Sequence, residues 1–469
     1  MINSRLRSVL AISLRTRSRS LSKFLLTGLC VFSTVALAQP SVPTAQSSVL
    51  FQNVRVFDGK SNALSDTVNV LVKGNKIEQI SASDIGSTAN NTIVIEGQGR
   101  TLMPGLIDAH WHAMMAEPSM MVALTADVGY LNLLAADQAQ KTLLRGFTSV
   151  RDMAGPAFSL KKAIDQGIVS GPRIWPSGAM ISQTGGHGDY RQLYELPQAS
   201  NAPLNHAEVM GAGVIADGRD QVLKRAREQL MMGASQLKLA AGGGVASNYD
   251  PIDVSQYTED EFRAAVEAAE NWGTYVTVHA YTPRAIQTAI RGGVRNIDHG
   301  QLIDEETAKI MAQKGIWLNM QPFLDDEDAN PYPEGSNNRA KQLEMFAGTD
   351  NAYRLAKKYR IKLAWGTDIL FDANLTKRQG AQLAKMTRWF TPAEVLRMAT
   401  STNAELLALS GRRNPYPGKL GVVEEGAIAD LLLVQGDPIS NIKLVEDPDT
   451  NFVVIMKDGK IHKNILKKN

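Results

Sequence analysis

Eight short candidate strands, most of them apolar, punctuate the middle of the chain, at residues 105–110, 146–152, 172–177, 235–240, 275–280, 295–299, 316–321 and 362–367. Stretches of helical character lie between most of them, such as 220–232, 259–272 and 304–314. Short apolar runs read as strands covered on both faces, and a helix between successive strands returns the chain for parallel pairing. Eight such beats over about 300 residues predict an α/β fold, a (β/α)8 TIM barrel, placed at residues 104–410. Two connections are long for a compact domain. Residues 178–217 are rich in glycine and polar side chains, and residues 322–350 include the acidic cluster Asp325-Asp326-Glu327-Asp328. Connections of that length usually serve function. The cluster reads either as a solvated loop or as a reader of a cationic substrate group.

Both ends have a different texture. Alternating runs such as Val54-Arg55-Val56, Val68 to Val72 and Ile93-Val94-Ile95 are broken by Asp58-Gly59 and Gly74-Asn75. The pattern returns at Ala429 to Val434 and Phe452 to Met456. Strands at both ends around a different middle predict a small β-sandwich domain formed by both termini, from residues 39–103 and 411–469.

Residues 1–38 read as a secretory signal peptide. Arg5, Arg7, Arg15, Arg17, Arg19 and Lys23 precede an apolar run from Phe24 to Ala38 that ends Ala36-Leu37-Ala38. The run is 15 residues long, short of the roughly 20 needed for a membrane span. The expectation is cleavage before Gln39 and a periplasmic or secreted protein without a stable membrane span. Lipidation of Cys30 is the alternative, disfavoured by Leu29 before it. Cys30 is the only cysteine, so the mature chain could form neither a disulfide nor a thiolate metal site. Without the six leader cations, 44 Lys and Arg face 47 Asp and Glu. That mildly acidic body lacks the electrostatic footprint of a nucleic-acid binder.

Chemistry-bearing residues gather at the ends of the predicted strands. His110 and His112 close the first, and side chains two apart on a strand point the same way. Lys238 lies in the apolar run Gln236 to Ala240, where a lysine is costly unless paired or chemically altered. His279, His299 and Asp368 end later strands. Any one of these alone reads as a satisfied core histidine or a capping aspartate. The ordered set points to a metal centre, because barrel active sites sit at the C-terminal ends of the strands. His187 follows Gly185-Gly186 and reads as a solvent-exposed turn histidine or a catalytic group. Tyr281 and Tyr257 read as holders of a substrate carboxylate or as packed core. His206 and His462 read as surface residues.

These segments resemble the metal-dependent amidohydrolase superfamily, most closely its imidazolonepropionase-like branch containing Xaa-Pro dipeptidases and related carboxypeptidases. The resemblance rests on MPGLIDAHWH at residues 103–112, TGGHGD at 184–189, LKLAAGGG at 237–244, VHAY, IDHG, WGTD, and GVVEEGAIADLLLVQGDP near the C-terminus. It implies two divalent metal ions, zinc by default, with manganese or cobalt also fitting. His110 and His112 would hold one ion, His279 and His299 the other, and a carboxylated Lys238 would bridge them. Asp368 would bind the first ion and move the proton. His187 resembles the family histidine that reaches the carbonyl or the oxyanion. Imidazolonepropionases themselves use one metal and lack the lysine, so Lys238 argues against that reaction.

The implied activity is hydrolysis of the amide bond to a C-terminal amino acid in dipeptides or N-acyl amino acids, ochratoxin A being one such amide. A lactonase or phosphotriesterase on the same centre is the alternative enzyme. A catalytically inactive binding scaffold is the alternative of another class, and the intact ligand set speaks against it. The expected partners are a small amide or peptide substrate and other copies of the chain in a homo-oligomer.

Overall fold

The computed structural model describes residues 48–86, 91–199 and 201–466. The expected leader and its cleavage site lie outside them. The chain enters through β1 (Ser48–Val56), β2 (Val68–Lys73), β3 (Lys76–Ser81), β4 (Ile93–Glu96) and β5 (Thr101–Pro104). A parallel set follows, β6 (Leu106–Trp111), β7 (Phe147–Asp152) and β8 (Arg173–Pro176). Then come β9 (Met180–Ser182), β10 (Gly213–Ile215), β11 (Leu237–Ala240), β12 (Val276–Ala280), β13 (Asn296–His299), β14 (Trp317–Met320) and β15 (Lys362–Trp365). These seven form one parallel sheet in the order β10-β9-β11-β12-β13-β14-β15. The chain ends with β16 (Leu431–Val434), β17 (Phe452–Lys457) and β18 (Lys460–Asn464).

All eight runs expected as barrel strands are strands, and helices follow most of them. The helix Glu259–Trp272 shows why: a Thr258–Glu261 capping box and three acidic residues satisfy its first turn, and Gly273 ends it at φ 73°. Hydrogen bonds cross both gaps between the two parallel sheets. Asp368 N donates to His110 O and Ser235 N to Pro176 O, each at 2.8 Å.

The terminal strands join in one sheet path, β18-β17-β16-β5-β1-β2-β3, with β4 also on β1. Strands from both ends of the chain therefore lie on one path, joined through β1. β1 pairs with β4 over Val49 to Gln52 and with β5 over Arg55 and Val56. An irregularity between Phe51 and Val54 marks the change of partner. One apolar cluster, including Phe51, Val54, Val70, Leu433 and Val454, draws on both halves.

The long connections differ from expectation. Residues 178–217 contain β9, β10 and the helix His206–Met210, started by an Asn205–Glu208 capping box. Three-residue strands are too short to leave a readable period. Residues 322–350 are loop only as far as Ser336, whose hydroxyl accepts from Arg339 N and starts the helix Asn337–Tyr359. Among the described residues no helix is long and apolar enough to cross a membrane.

Candidate active site

The ends of β6, β11, β12, β13 and β15 open into one pocket lined by His110, His112, Lys238, His279, His299 and Asp368. Backbone geometry at the rim is tightly constrained. His299 and Asp368 sit at φ 82° and 54°, a region that non-glycine residues enter mainly where surrounding structure holds them. Asp108 supplies part of that hold. Its buried carboxylate accepts from His110 N at 3.0 Å, Thr367 N at 3.1 Å, Thr367 Oγ1 at 2.6 Å and Gln379 Nε2 at 2.9 Å. It thus ties the end of β6 to the turn carrying Asp368. Gly366 permits the approach, since a Cβ there would lie 2.4 Å from His110 N.

Asp368 Oδ1 is 3.1 Å from His110 Nε2 and 2.9 Å from His112 Nε2, and Asp368 Oδ2 is 3.9 Å from His299 Nδ1. His110, His299 and Asp368 each offer a donor atom within 4.8 Å of the others. The other expected ligands stand close by with different partners. His279 Nε2 is 3.0 Å from Gly243 O, and its ring is 4.4 Å from that of His299. Burial pushes His112 below the ordinary histidine range. Burial above all, with His187, His299 and Lys238 close by, holds His279 well below it. His299 is pushed down to about 3, by burial above all. At His110 burial opposes the charge, but Asp368 and Asp298 outweigh it and raise the value. Burial likewise opposes the Asp368 carboxylate, and the histidines outweigh it to keep it well below its usual range. The neutral imidazoles of His112, His279 and His299, with His110 and the ionised Asp368 carboxylate, form a donor set that suits a divalent cation. One buried ring nitrogen, His112 Nδ1, has no hydrogen-bond partner among the described residues.

Lys238 is paired. Its Nζ donates to Asp298 Oδ2 at 2.9 Å, and Asp298 also accepts from Arg151 Nη2 at 2.5 Å and Thr277 Oγ1 at 2.6 Å. Lys238, Asp298 and Arg151 are 2%, 0% and 0% exposed, so each ion here depends on its neighbours. Sequence reasoning assigns Asp298 and Arg151 no role. The available signal is a lysine in an apolar strand, which demands a counter-charge, and Asp298 lies inside the IDHG segment beside His299.

His187 is not a solvent-exposed turn residue. Its ring stacks on His279 at 4.0 Å, lines the pocket, and places Nδ1 2.8 Å from Ser247 Oγ. Tyr281 lines the pocket as well, edge-on to His279 at 4.8 Å. Tyr257 does not line it, which corrects the expectation for this residue. Its hydroxyl donates to Ala216 O at 2.9 Å and its ring packs edge-on to Phe262 in the core. His206 is exposed and His462 is half-buried on β18.

The walls are mostly apolar. Met115, Met180, Phe371 and Leu375 belong to one hydrophobic cluster, and Val245, Phe323, Tyr332 and Met345 to another. The other charged lining groups are paired: Asp189 with Arg191 at 2.6 Å, and Asp328 with Arg378 at 2.6 Å and Lys385 at 3.0 Å. Asp325, Asp326 and Glu327 likewise pair with Arg339, Lys385 and Arg378. The acidic cluster therefore riveted the loop to neighbouring helices rather than remaining free for a cation.

The match to known proteins covers the same ground. The Amidohydrolase family matches residues 101–467. An ochratoxinase of Aspergillus niger is 31% identical over 376 residues, 77% of this chain and 75% of that protein. A crystal structure of an amidohydrolase aligns with TM-score 0.80 and 36% identity, over 90% of this chain and all (100%) of the other. A prolidase complexed with N-methylphosphonate-L-proline aligns with TM-score 0.80 and 33% identity, over 89% and 100%. The chain belongs to the amidohydrolase family, in its imidazolonepropionase and Xaa-Pro dipeptidase-like branch, and is a hydrolase of amide bonds.

Proposed function

We propose that the protein hydrolyses the amide bond to a C-terminal amino acid in dipeptides or N-acyl amino acids, with two divalent metal ions, zinc by default. The observation that carries this reading is the gathering of four histidines, Asp368 and Lys238 on the floor of one pocket. His110, His112 and Asp368 would hold one ion and His279 and His299 the other, with carboxylated Lys238 between them. The two parallel sheets are read as one closed (β/α)8 barrel, supported by the bonds across both gaps. When bound, the ions would supply Lewis acidity to the scissile carbonyl and to the attacking water. Asp368 takes the proton of that water on a carboxylate oxygen and passes it to the leaving nitrogen. His187 faces the oxygen that gains charge. Tyr281 is placed to orient the substrate.

Apolar walls with paired charges favour apolar or aromatic groups on both sides of the amide. The ochratoxinase and prolidase relatives support an amide to an amino acid, and ochratoxin A falls within that class. The leader supports export to the periplasm or beyond, and the working protein is read as a homo-oligomer. A substrate panel tests the function. N-acyl amino acids, dipeptides, lactones and phosphotriesters are incubated with purified protein whose metal content is measured, and products are read by mass spectrometry. Two equivalents of metal and preferred release of apolar amino acids are expected. Higher kcat/KM on lactones or phosphotriesters would refute amide hydrolysis as the main activity, and absence of both metal and turnover would favour an inert scaffold.

A further inference from the structure

The loop after β11, residues 242–250, begins Gly242-Gly243-Gly244 and walls the pocket with Val245, Ala246, Ser247, Asn248 and Tyr249. The buried carbonyls of such a loop need partners. Lys341, on the second turn of the helix Asn337–Tyr359, provides one. Its Nζ donates to Gly244 O at 2.7 Å, Ser247 O at 2.6 Å and Asp250 O at 3.0 Å. An ammonium has three donors, and here each has a carbonyl of the same loop. Asn338, one turn earlier on the same face, donates to Val245 O at 2.6 Å.

The shape held in this way reaches His187. Ser247 Oγ lies 2.8 Å from His187 Nδ1 and 3.1 Å from Gly244 O. Gly244 O already accepts from Lys341, so the serine proton goes to the closer Nδ1 and leaves the other ring nitrogen as an N–H donor facing the substrate oxygen. Asp250 Oδ2 accepts from Gly244 N at 2.9 Å and from Gln256 Nε2 at 3.2 Å, while Gln256 Oε1 accepts from His187 N at 2.9 Å. Gly244 fits against the ring so closely that a Cβ there would lie 2.0 Å from it. Any relaxation of the loop therefore moves the groups that set the ring.

We propose that Lys341 is a positioning residue for His187: by taking three carbonyls of the 242–250 loop it fixes Ser247, and Ser247 fixes the orientation and tautomer of the imidazole. The inference rests on the role assigned to His187 above, and two measurements keep the two apart. The first needs no substrate. Hydrogen exchange by mass spectrometry on intact Lys341→Met protein is expected to show faster exchange in 242–250 and in 183–190, with the rest of the chain unchanged. Unchanged protection of 183–190 overturns the proposal. The second is a double-mutant cycle on the best substrate of the panel. Lys341→Met should lower kcat/KM by roughly 10- to 100-fold, the scale of a misplaced catalytic group. In a His187→Asn background the same change should cost almost nothing. Equal losses in both backgrounds overturn the proposal and leave Lys341 a general brace. Ser247→Ala, which leaves the lysine clamp in place, repeats the cycle should Lys341→Met fail to fold. A protein with no turnover on the panel fails the functional reading, while the exchange result still decides the role of Lys341.

Discussion

Arg151→Met tests whether the ion network under the site holds the fold together. Arg151 is fully buried on β7. Its guanidinium donates to Ala109 O at 2.6 Å, Tyr275 Oη at 3.0 Å and Asp298 Oδ1 at 2.5 Å. Methionine has comparable reach, so little cavity opens, and the change isolates the charge and its hydrogen bonds. Removing one partner of a buried ion pair costs about 3–5 kcal/mol. In the metal-free protein, where Lys238 is a free ammonium, Asp298 keeps Lys238 and Thr277, which argues for the low end; the orphaned Ala109 carbonyl adds about 1–3 kcal/mol. The expected loss is therefore about 4 kcal/mol, close to a thousandfold in the unfolding equilibrium. Urea titration followed by tryptophan fluorescence measures it, with Trp111, Trp175 and Trp365 all buried as reporters. Arg151→Lys should recover only part, because an ammonium lacks the planar fork that meets three separated acceptors. A loss below about 1 kcal/mol would mean that Asp298 is satisfied without Arg151, and the network would be incidental.

Three further outcomes are expected. Asp368→Asn should keep most bound metal and lower turnover roughly 10²-fold or more, since an amide oxygen can still serve as ligand but cannot take a proton; near-normal turnover with a lowered melting temperature would refute the catalytic role. Lys238→Ala should lose metal and nearly all activity, with part of it restored by added short-chain carboxylic acids; retention of two metals at the wild-type rate would rule out a bridging lysine. N-terminal sequencing of native protein should begin near Gln39, and finding Met1 or a lipid on Cys30 would refute export by cleavage.

The fold was legible where the chain repeats itself. Strands such as Leu237–Ala240 and Val276–Ala280 are short, largely apolar segments carrying one or two polar residues, as parallel strands covered on both faces require. The expected ligands were legible for the same reason, because each lies in such a segment or at its C-terminal end. What the sequence hid were short or capped elements. Met180–Ser182 and Gly213–Ile215 are three residues each and exist through pairing with one another, which has no local signature. The helix Asn337–Tyr359 begins inside a stretch of Asn, Arg and Lys whose polar side chains face the pocket loops, so its first turns lack an apolar stripe.

The contrast between Tyr257 and Tyr281 shows what decides a site position. Both follow strands in the half of the chain that carries the lysine and the later histidines, and both are buried, at 5% and 4% exposure. Tyr281 lies two residues after His279 at the end of β12, so the strand itself aims it toward the pocket. Tyr257 comes after the 242–250 loop, at φ 64°, where the backbone turns back toward Ala216. Strand periodicity carries direction for a few residues past a strand and no further. Beyond that, direction is set by long-range contacts such as Lys341 on Gly244, nearly a hundred residues away in sequence (|i−j| = 97). Asp298 marks the same limit from the other side. It sits next to a predicted ligand in sequence, yet its role depends on Arg151 and Lys238 arriving from other strands.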